Sequence, residues 1–392
     1  MNPEARILRN PFIALAPADD GYLAYDAESS RLHRLNPAAA LIVELSDGTR
    51  TATDLAAQLA AFVGDEGRQG CASWMETAAR DGLLTSVRPD DPLPAGPSPH
   101  DFASLASQLR SDGHVLAAFV CQHYATFQAA DEADQWAALG ELAHIVGRRE
   151  DARDAYERYC WLEPGDAEVE QILVSLRNEA PPPRAPDRCI VQLYERFAEY
   201  YERNMCADLE YQAPARLAEA LDAELSTAAG LDVLDLGCGT GLAGPALRAR
   251  ARRLVGIDLS PDMVVHAQAT GRYDAIEVAE ITEWLGRVDT PDFDLIAACD
   301  TLIYFGDLGQ VLKPASRRMR EGGTVAFTVE RGAADPFRLT DSGRYVHTES
   351  HIRAAAEEAG LTVARITESP LRYEYGEEVI GLIVVLRNAP AS

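Results

Sequence analysis

Residues 233–241 constrain the fold of this 392-residue chain more than any other stretch. They read Val-Leu-Asp-Leu-Gly-Cys-Gly-Thr-Gly, a short apolar run that carries an acid and is followed by alternating glycines. This pattern predicts a buried parallel strand that ends in a tight turn and opens a helix. The glycines would let the main chain approach a ligand closely, because no Cβ stands in the way.

A second apolar run, residues 253–259, predicts the next strand and places Asp258 near its C-terminal tip. An acid in that position can accept hydrogen bonds from ribose hydroxyls. A dinucleotide site would need a glycine where this chain has Leu242, and the absence of Gly-Lys-Ser/Thr excludes a P-loop. The two strand ends therefore predict a site for a nucleoside-type cofactor.

The motif Asp-x-Gly-x-Gly-x-Gly, with Asp258 at strand spacing, resembles the S-adenosylmethionine (SAM) site of class I methyltransferases. The resemblance runs from residue 188 to about residue 387 and looks most like methyltransferases that carry tetratricopeptide repeats. It implies a Rossmann-like domain with a mostly parallel seven-stranded sheet, finished by an antiparallel pair at 361–368 and 379–386. Another nucleotide-binding Rossmann-like domain is the alternative interpretation.

The same resemblance implies SAM as the cofactor and indicates the residues that bind it. Leu259 and Met263 would enclose the adenine, although Met263 could equally be a core residue, and Glu280 would take the adenine amino group. Tyr211 is a candidate for a lid. The implied cofactor-binding residues are Asp235, Gly237, Cys238, Gly239, Gly241, Asp258, Leu259, Met263, Glu280, Asp300 and Tyr211.

Methyl transfer mainly requires that a nucleophile is aligned with an activated methyl group and that water is excluded. A base is needed only where the acceptor has a proton to lose. The catalytic candidates lie at or after predicted strand tips, and for each of them a structural hydrogen bond or an exposed position is the alternative. They are Asp300, Tyr304, Glu330, His347 and His351.

Three other side chains of this segment are candidates for substrate contacts. Tyr194 and Tyr201 belong to an aromatic, amphipathic stretch that would be a lid by resemblance, or a helix that only packs. Arg344 could pair with a substrate carboxylate or lie on the surface.

The net charge of −26 and the pI near 4.6 argue against a nucleic-acid partner, whose phosphates would be repelled. The seven cysteines are scattered without a Cys-x-x-Cys pair, so neither a metal site nor disulfides are expected. The N-terminus has no signal-peptide core and no apolar run is long enough to span a membrane. We therefore expect a cytoplasmic protein.

The first 88 residues combine three short strands with helices and the motifs Leu-Asn-Pro-Ala-Ala, Asp-Gly-Thr-Arg-Thr and Asp-Gly-Leu-Leu. This pattern resembles the PqqD-like family, also called RiPP recognition elements. The resemblance implies a small winged-helix-like α+β domain that binds the leader of a ribosomal precursor peptide. A winged-helix unit used for dimerisation or for nucleic acid is the alternative.

In the PqqD-like family an extended leader adds a strand beside the third strand, where main-chain hydrogen bonds supply affinity and alternate side chains supply selectivity. Mapped by resemblance, the edge is residues 30–35, with Leu32, His33 and Arg34, and the facing helix is residues 71–80, with Trp74 nearby.

The middle segment, residues 101–179, is helical by its apolar periodicity. Trp136, Gly140, Ala152, Tyr156 and Pro164 match the spacing of one tetratricopeptide repeat, so neighbouring helices would have to stack on it. We expect a spacer, with a peptide receptor as the alternative.

The sequence therefore predicts a multidomain α/β protein. Its parts are a PqqD-like domain (1–90), a linker (91–100), a TPR-like helical domain (101–180), a Pro-rich linker (181–187) and the methyltransferase domain (188–392). The expected partner is a precursor peptide with leader and core. A small-molecule methyltransferase whose N-terminal domain dimerises, and a non-catalytic peptide-binding scaffold, are the alternatives.

Overall fold

The computed structural model describes residues 4–93, 100–197, 201, 205, 209–225, 229–287, 292–333, 336–374 and 376–388. The chain divides into two compact units, Met1–Pro164 and Gly165–Ser392. This division groups most of the middle helical segment with the N-terminal residues and its last helix with the catalytic residues. The domain limits expected at residues 90 and 180 remain predictions.

Six short strands of the N-terminal unit form two antiparallel sheets. They are β1 (Arg6–Arg9), β2 (Ile13–Ala18), β3 (Gly21–Asp26), β4 (Arg31–Leu35), β5 (Asp47–Thr51) and β6 (Leu84–Val87). The strand orders are β5-β1-β6 and β2-β3-β4. Within the described part of the chain β4 pairs with β3 alone, so β4 is an edge strand.

Two helices, α1 (Pro37–Leu45) and α2 (Ala52–Arg80), complete this part of the unit. The sequence predicts two separate helices in place of α2, one from Thr51 or Thr53 to Phe62 and one over 69–80, and this is wrong. Thr51 caps α2 through a reciprocal pair of hydrogen bonds with Asp54, and the helix then continues without a break. Single glycines cost a helix only about 1 kcal/mol each, which burial of both ends of α2 in one core outweighs.

The residues after α1 also differ from the prediction. The sequence predicts that Asp47-Gly48 only ends the helix, but these residues begin β5, which pairs with β1. The turn signal therefore opens a strand as well as ending a helix.

Four further helices belong to the N-terminal unit: α3 (Phe102–Ser111), α4 (Val115–Gln128), α5 (Ala133–Ile145) and α6 (Arg149–Leu162). A Cβ on Gly140 would come within 2.6 Å of the Tyr156 ring, so the glycine allows α5 and α6 to approach closely. This is the role expected for that glycine in the repeat, although the TPR-like assignment itself remains a prediction.

The catalytic unit contains a nine-stranded, mostly parallel sheet. Its strands are β7 (Leu231–Leu236), β8 (Ala251–Asp258), β9 (Ala275–Val278), β10 (Phe293–Ala298), β11 (Met319–Arg331), β12 (Phe337–Leu339), β13 (Tyr345–His347), β14 (Leu361–Glu374) and β15 (Glu377–Asn388). The main path is β9-β8-β7-β10-β11-β15-β14, with β15 antiparallel to both of its neighbours. The Rossmann-like fold and its final antiparallel pair are confirmed.

The expected number of seven strands is too low by the two short strands β12 and β13. Strand β11 is longer than β10, so its last residues, Glu330 and Arg331, have an open side beyond the end of β10. Strand β13 pairs there, and β12 pairs with β13.

Helices cover both faces of this sheet. Alternate residues of β7 point to opposite faces, and apolar side chains on each face pack against helices. Val233 packs in the cluster of Leu217 and Leu221, whereas Leu234 packs in the cluster of Trp284. The helices are α7 (Ala167–Leu176), α8 (Asp187–Phe197), α9 (Ala213–Leu225), α10 (Gly244–Arg248), α11 (Pro261–Ala269), α12 (Ile281–Gly286), α13 (Gly309–Ser316) and α14 (Glu349–Glu358).

The sequence predicts a helix over 313–320, but α13 lies four residues earlier and Met319 already belongs to β11. The shift has a cause in sheet pairing, since Phe293 N–H donates to the carbonyl of Arg318 at 2.8 Å. None of the described helices is long and apolar enough to cross a bilayer.

Candidate active site

The glycine-rich turn begins where β7 ends at Leu236. Gly237, Gly239 and Gly241 all have positive φ, at 66°, 54° and 91°. A Cβ on Gly237 would come within 2.5 Å of Thr301 Oγ1, so a side chain at this position would also clash with Thr301. A Cβ on Gly239 would meet nothing within 4 Å, which leaves the main chain of that residue open towards a neighbouring cavity.

Asp258, the last residue of β8, is fixed by two main-chain donors. Gly239 N–H donates to one carboxylate oxygen at 2.8 Å and Ser260 N–H donates to the other at 2.9 Å. The residue is 8% exposed, and burial raises the pKa of its carboxyl group although these hydrogen bonds oppose the shift. The carboxylate thus ties the glycine turn to the tip of the adjacent strand.

A cavity with about 640 Å³ of space not filled by atoms, partly open to solvent, lies beyond the carboxyl ends of these strands. This is the position in which open α/β sheets bind ligands. The structure brings ten of the predicted residues together in its wall: Tyr194, Tyr201, Gly237, Gly239, Asp258, Leu259, Met263, Glu280, Asp300 and Tyr304.

A smaller adjoining cavity of about 320 Å³ contains Asp235, Cys238 and Tyr211 in its wall and shares Gly237 and Gly239 with the first. Asp235 is buried, and its Oδ2 accepts a hydrogen bond from Tyr273 Oη at 2.7 Å. Its Oδ1 has no hydrogen-bond partner among the described residues. Burial raises the pKa of Asp235 to about 7. Of the predicted cofactor residues only Gly241 lines neither cavity.

Glu280 lies in the wall of the main cavity and begins α12 as its N-cap. Its Oε2 accepts from the N–H of Glu283 at 2.8 Å. Oε1 lies 4.0 Å from Arg184 Nη1. One carboxylate oxygen is therefore used for capping, and the other remains close to a cation at the cavity wall.

Asp300 has an unusual backbone for a residue with a side chain, with φ at +56°. Its N–H donates to Thr328 Oγ1 at 2.8 Å, and its carboxylate pairs with Arg372 at 3.0 Å. Strained backbone that the surroundings hold in place is often found at functional sites. Burial raises the pKa of Asp300, although Arg372 opposes the shift.

The family model described as a methyltransferase domain matches residues 233–323. The malonyl-[acyl-carrier protein] O-methyltransferase of Pseudescherichia vulneris is 32% identical over 196 residues, which cover 50% of this chain and 73% of that protein. This chain belongs to the family of SAM-dependent methyltransferases. Its cofactor is SAM.

Other similar proteins match over different shares of their length. The biotin biosynthesis bifunctional protein BioCD of Bordetella avium (strain 197N) is 32% identical over 197 residues, and the match spans 47% of this chain but only 40% of that protein. Among solved structures, N-methyltransferase NodS from Bradyrhizobium japonicum WM9 is 22% identical, with a TM-score of 0.41 and coverage of 50% of this chain and 97% of that chain. The 1,6-didemethyltoxoflavin-N1-methyltransferase of Burkholderia thailandensis is also 22% identical, with a TM-score of 0.42 and coverage of 53% and 92%.

The two cavities of this SAM-dependent methyltransferase suit the chemical groups of its cofactor. Asp235 Oδ1, a buried acceptor that finds no partner within the described residues, suits an ammonium donor. The Asp258 carboxylate uses two of its about four lone-pair sites on main-chain N–H groups, so others remain for ribose hydroxyls. Gly239 leaves room for close approach of a ligand to the main chain. These residues would hold the cofactor, with Leu259 and Met263 beside its base.

When bound, the cofactor supplies an activated methyl group. The chain's own contribution is then to orient an acceptor, exclude water and handle a proton. In the wall of the methyltransferase cavity, Tyr194 Oη and Tyr304 Oη lie 2.9 Å apart, and Asp300 lines the same cavity. Asp300 and Tyr304 are therefore the predicted catalytic candidates that the structure places at the cavity.

The remaining catalytic candidates lie outside the cavity wall. Glu330 is buried and pairs with Arg344 at 2.8 Å and with Arg372. Arg344 also binds Glu374 at 2.6 Å, so both of its partners come from the protein. The suggested catalytic role of Glu330 and the pairing of Arg344 with a substrate carboxylate remain predictions.

His347 and His351 stack on each other with ring centres 5.6 Å apart and contact main-chain carbonyls instead of the cavity. His347 Nε2 lies 2.8 Å from the carbonyl of Phe305, and His351 Nε2 lies 3.1 Å from that of Gly306. Burial lowers the pKa of His347 to about 4. Their catalytic role also remains a prediction.

Sequence reasoning missed three residues that shape the site. Arg184 lines the cavity because the Pro-rich segment, expected to be a linker, is fixed to the catalytic unit: Ala185 N–H donates to the carbonyl of Tyr304 at 2.8 Å. Thr301 packs on Gly237 and lines the cavity, and Arg372 holds Asp300. For Arg184 the sequence offered one signal, a single arginine within a Pro-rich segment. The contact of Arg372 with Asp300 depends on how distant strands pair, which the sequence does not indicate.

The predicted leader-binding residues lie in the N-terminal unit. Leu32 is 41% exposed on the edge strand β4, and Arg34 lies 3.7 Å from Asp20. His33 Nε2 is buried and no described residue bonds to it. Trp74, on α2, is half-buried against the core of the same unit.

Proposed function

We propose that this SAM-dependent methyltransferase modifies a ribosomally made precursor peptide, whose leader binds as an added strand along β4. The observation that carries the proposal is the edge position of β4: among the described residues no strand pairs with it on the side away from β3. Such an edge is where an extended peptide adds to a sheet.

The side chains around this edge support an apolar peptide contact. Leu32 presents an apolar side chain, 41% exposed, on this edge strand, and an added strand would cover it. Leu35, at the end of β4, and Met75, on α2, belong to the same buried core. A leader on β4 would therefore have an apolar side chain to cover.

Recruitment through a separate unit would raise the local concentration of the core segment near the cavity. A linked, weakly held acceptor can then be modified without strong contacts of its own. This would allow one catalytic unit to act on a peptide that the cavity itself recognises only loosely.

The test uses synthetic peptides from short reading frames that neighbour the gene, with the full-length protein. Binding is measured by fluorescence polarisation, and modification by mass spectrometry. Leu32→Asp should weaken peptide binding at least tenfold, because it would place a charge on β4 directly beside the added strand. The matched control is Leu116→Asp, since Leu116 is similarly exposed, at 36%, but lies on α4.

Equal binding by both variants would contradict recruitment along β4. Full-rate methylation of a small acceptor without a leader, together with no binding of any peptide, would favour a small-molecule methyltransferase instead.

A further inference from the structure

Asp300 belongs to an ion network that has an excess of negative charge. Two arginines of this network each pair with at least two carboxylates. Arg372 binds Asp300 through Nη1, Glu330 through Nη2 and Glu374 through Nε. Arg344 binds Glu330 and Glu374. The network thus has one more carboxylate than guanidinium, and of its members only Asp300 lines the cavity.

No other guanidinium in the described cavity wall is available to an anionic acceptor. Arg184 is the one cation among the described lining residues, and it pairs with Asp187 and approaches Glu280. An acceptor carboxylate at Asp300 would therefore meet like charge without a compensating cation, which is unfavourable in a partly buried site.

Three tyrosines form an aromatic wall beside Asp300. The rings of Tyr194 and Tyr201 have centroids 5.8 Å apart at 70°, and those of Tyr194 and Tyr304 are 6.2 Å apart at 81°. Burial raises the pKa of Tyr304 to about 12, so its phenol is neutral at ordinary pH. Aromatic faces next to a carboxylate attract alkylammonium cations through the ring quadrupole as well as through charge.

We propose that the methyl acceptor is an amine nitrogen, held between Asp300 and the tyrosine wall formed by Tyr194, Tyr201 and Tyr304. The inference deepens the proposed function and rests on it for the natural acceptor, which would be an amine of the precursor peptide. An amine is favoured over a carboxylate because Asp300, the member of the ion network that lines the cavity, is complementary to a cation.

The reaction balances without a further reactant. An entering ammonium gives one proton to the Asp300 carboxylate, which later passes it to water. The neutral nitrogen then donates its lone pair to the methyl carbon, the bond from that carbon to sulfur breaks, and sulfur keeps the electron pair. The product leaves as a methylated ammonium. Burial raises the pKa of Asp300, which suits it to accept and release this proton.

The test measures binding of two small probes of similar shape, phenethylamine and 3-phenylpropanoate, by calorimetry. The full-length protein is saturated with S-adenosylhomocysteine, so that differences in cofactor affinity do not affect the measured probe affinities. We expect the amine to bind at least tenfold more tightly than the carboxylate. With SAM in place of the product, mass spectrometry should find N-methylphenethylamine and no methyl ester.

Two variants separate the contributions. Asp300→Asn should lower the preference for the amine at least tenfold, whereas the control Glu277→Gln, which changes an exposed carboxylate paired with Arg287, should not. If Asp300→Asn does not fold, Tyr201→Leu tests the aromatic wall without touching the ion network and should weaken amine binding about threefold to tenfold.

Equal or tighter binding of the carboxylate, no measurable binding of the amine, or an unchanged preference in Asp300→Asn would overturn the inference. The probes carry no leader, so these results are independent of β4. Failure of the recruitment proposal would instead appear as an unchanged peptide affinity in Leu32→Asp.

Discussion

Asp235 is a buried carboxylate that could pair with a cationic group of the cofactor. Its Oδ1 lacks a partner in the described part of the chain, and burial raises its pKa to about 7. We predict that SAM affinity rises as the pH increases from 5.5 to 7, by up to about tenfold per unit, because only the ionised carboxylate pairs well with an ammonium group. Calorimetry over this range, where the cofactor amine stays protonated, measures the slope.

Asp235→Asn provides the comparison, since the amide cannot ionise. The variant should bind SAM weakly and with little dependence on pH over the same range. A wild-type affinity that is flat from pH 5.5 to 7 would show that Asp235 does not contact the cationic end of the cofactor.

His347 carries a stability prediction of its own. It is fully buried and burial lowers its pKa to about 4, compared with about 6.5 in an unfolded chain. The unfolded state therefore binds more protons between these values, so its contribution to stability is present above pH 6.5 and is lost as the pH falls towards 4. We expect this residue to lower the free energy of unfolding by about 2 kcal/mol between pH 7 and pH 5.

Urea denaturation at the two pH values checks this contribution. His347→Gln should remove that part of the pH dependence, even if it lowers stability at both values. The matched change His266→Gln, at an exposed position of α11, should leave the pH dependence as it is in the wild type. The same dependence in all three proteins would show that another group is responsible.

Among the elements, the glycine turn shows how packing adds to backbone strain. Gly237 and Gly271 have almost the same φ, at 66° and 65°, but a Cβ would meet Thr301 at Gly237 and nothing within 4 Å at Gly271. We predict that Gly271→Ala costs about 1–2 kcal/mol, the strain of a left-handed residue with a side chain. Gly237→Ala should cost at least about 3 kcal/mol and should also weaken SAM binding.

Thermal or urea unfolding, combined with calorimetry of SAM binding, measures both effects. If the two variants are equally stable, Thr301 moves away at little cost and the contact is not a packing constraint. If Gly237→Ala keeps full SAM affinity, the turn tolerates displacement at this position.

The elements that the sequence predicts correctly are those whose signals are local. The strand, the glycine turn and Asp258 follow from a few neighbouring residues, and the structure places them together. The extra strands β12 and β13 depend on the free side of a long neighbour, and the position of α13 depends on where β11 begins to pair. Such features are decided by contacts between distant residues, which periodicity cannot indicate.

The same contrast divides the candidate site. Asp300 and Tyr304 follow a strand tip and could be proposed from that position alone. The ion network that holds Asp300 could not be predicted in this way, because Arg372 lies far along the chain on β14. Its partners are Asp300, Glu330 and Glu374. The sequence suggests that Arg344 pairs with a substrate carboxylate or lies on the surface, and it could not indicate that Glu330 and Glu374 bind this arginine in the structure.

At the scale of the whole molecule, the Pro-rich segment before α8 decides where the catalytic unit begins. Expected as a linker, it instead contributes Arg184 to the cavity wall, and its main chain bonds to residues after β10: Pro183 O accepts from the N–H groups of Gly306 and Asp307 at 2.9 and 3.0 Å. Tyr345 Oη donates to the carbonyl of Pro182 at 2.7 Å. These contacts make the segment part of the cofactor-binding unit.

Two fragments test this boundary directly. A fragment of residues 165–392 retains the segment and α7, and we predict that it folds and binds SAM within about threefold of the full chain. A fragment of residues 188–392 begins at the limit that the sequence predicts, and it lacks every contact of Pro182, Pro183 and Arg184. Because several buried hydrogen bonds would be left unmade, each costing about 1–3 kcal/mol, it should be much less stable and should bind SAM at least tenfold more weakly. Circular dichroism and calorimetry on both fragments measure the difference in stability and in SAM affinity. Equal SAM affinity of the two fragments would show that the Pro-rich segment acts only as a linker.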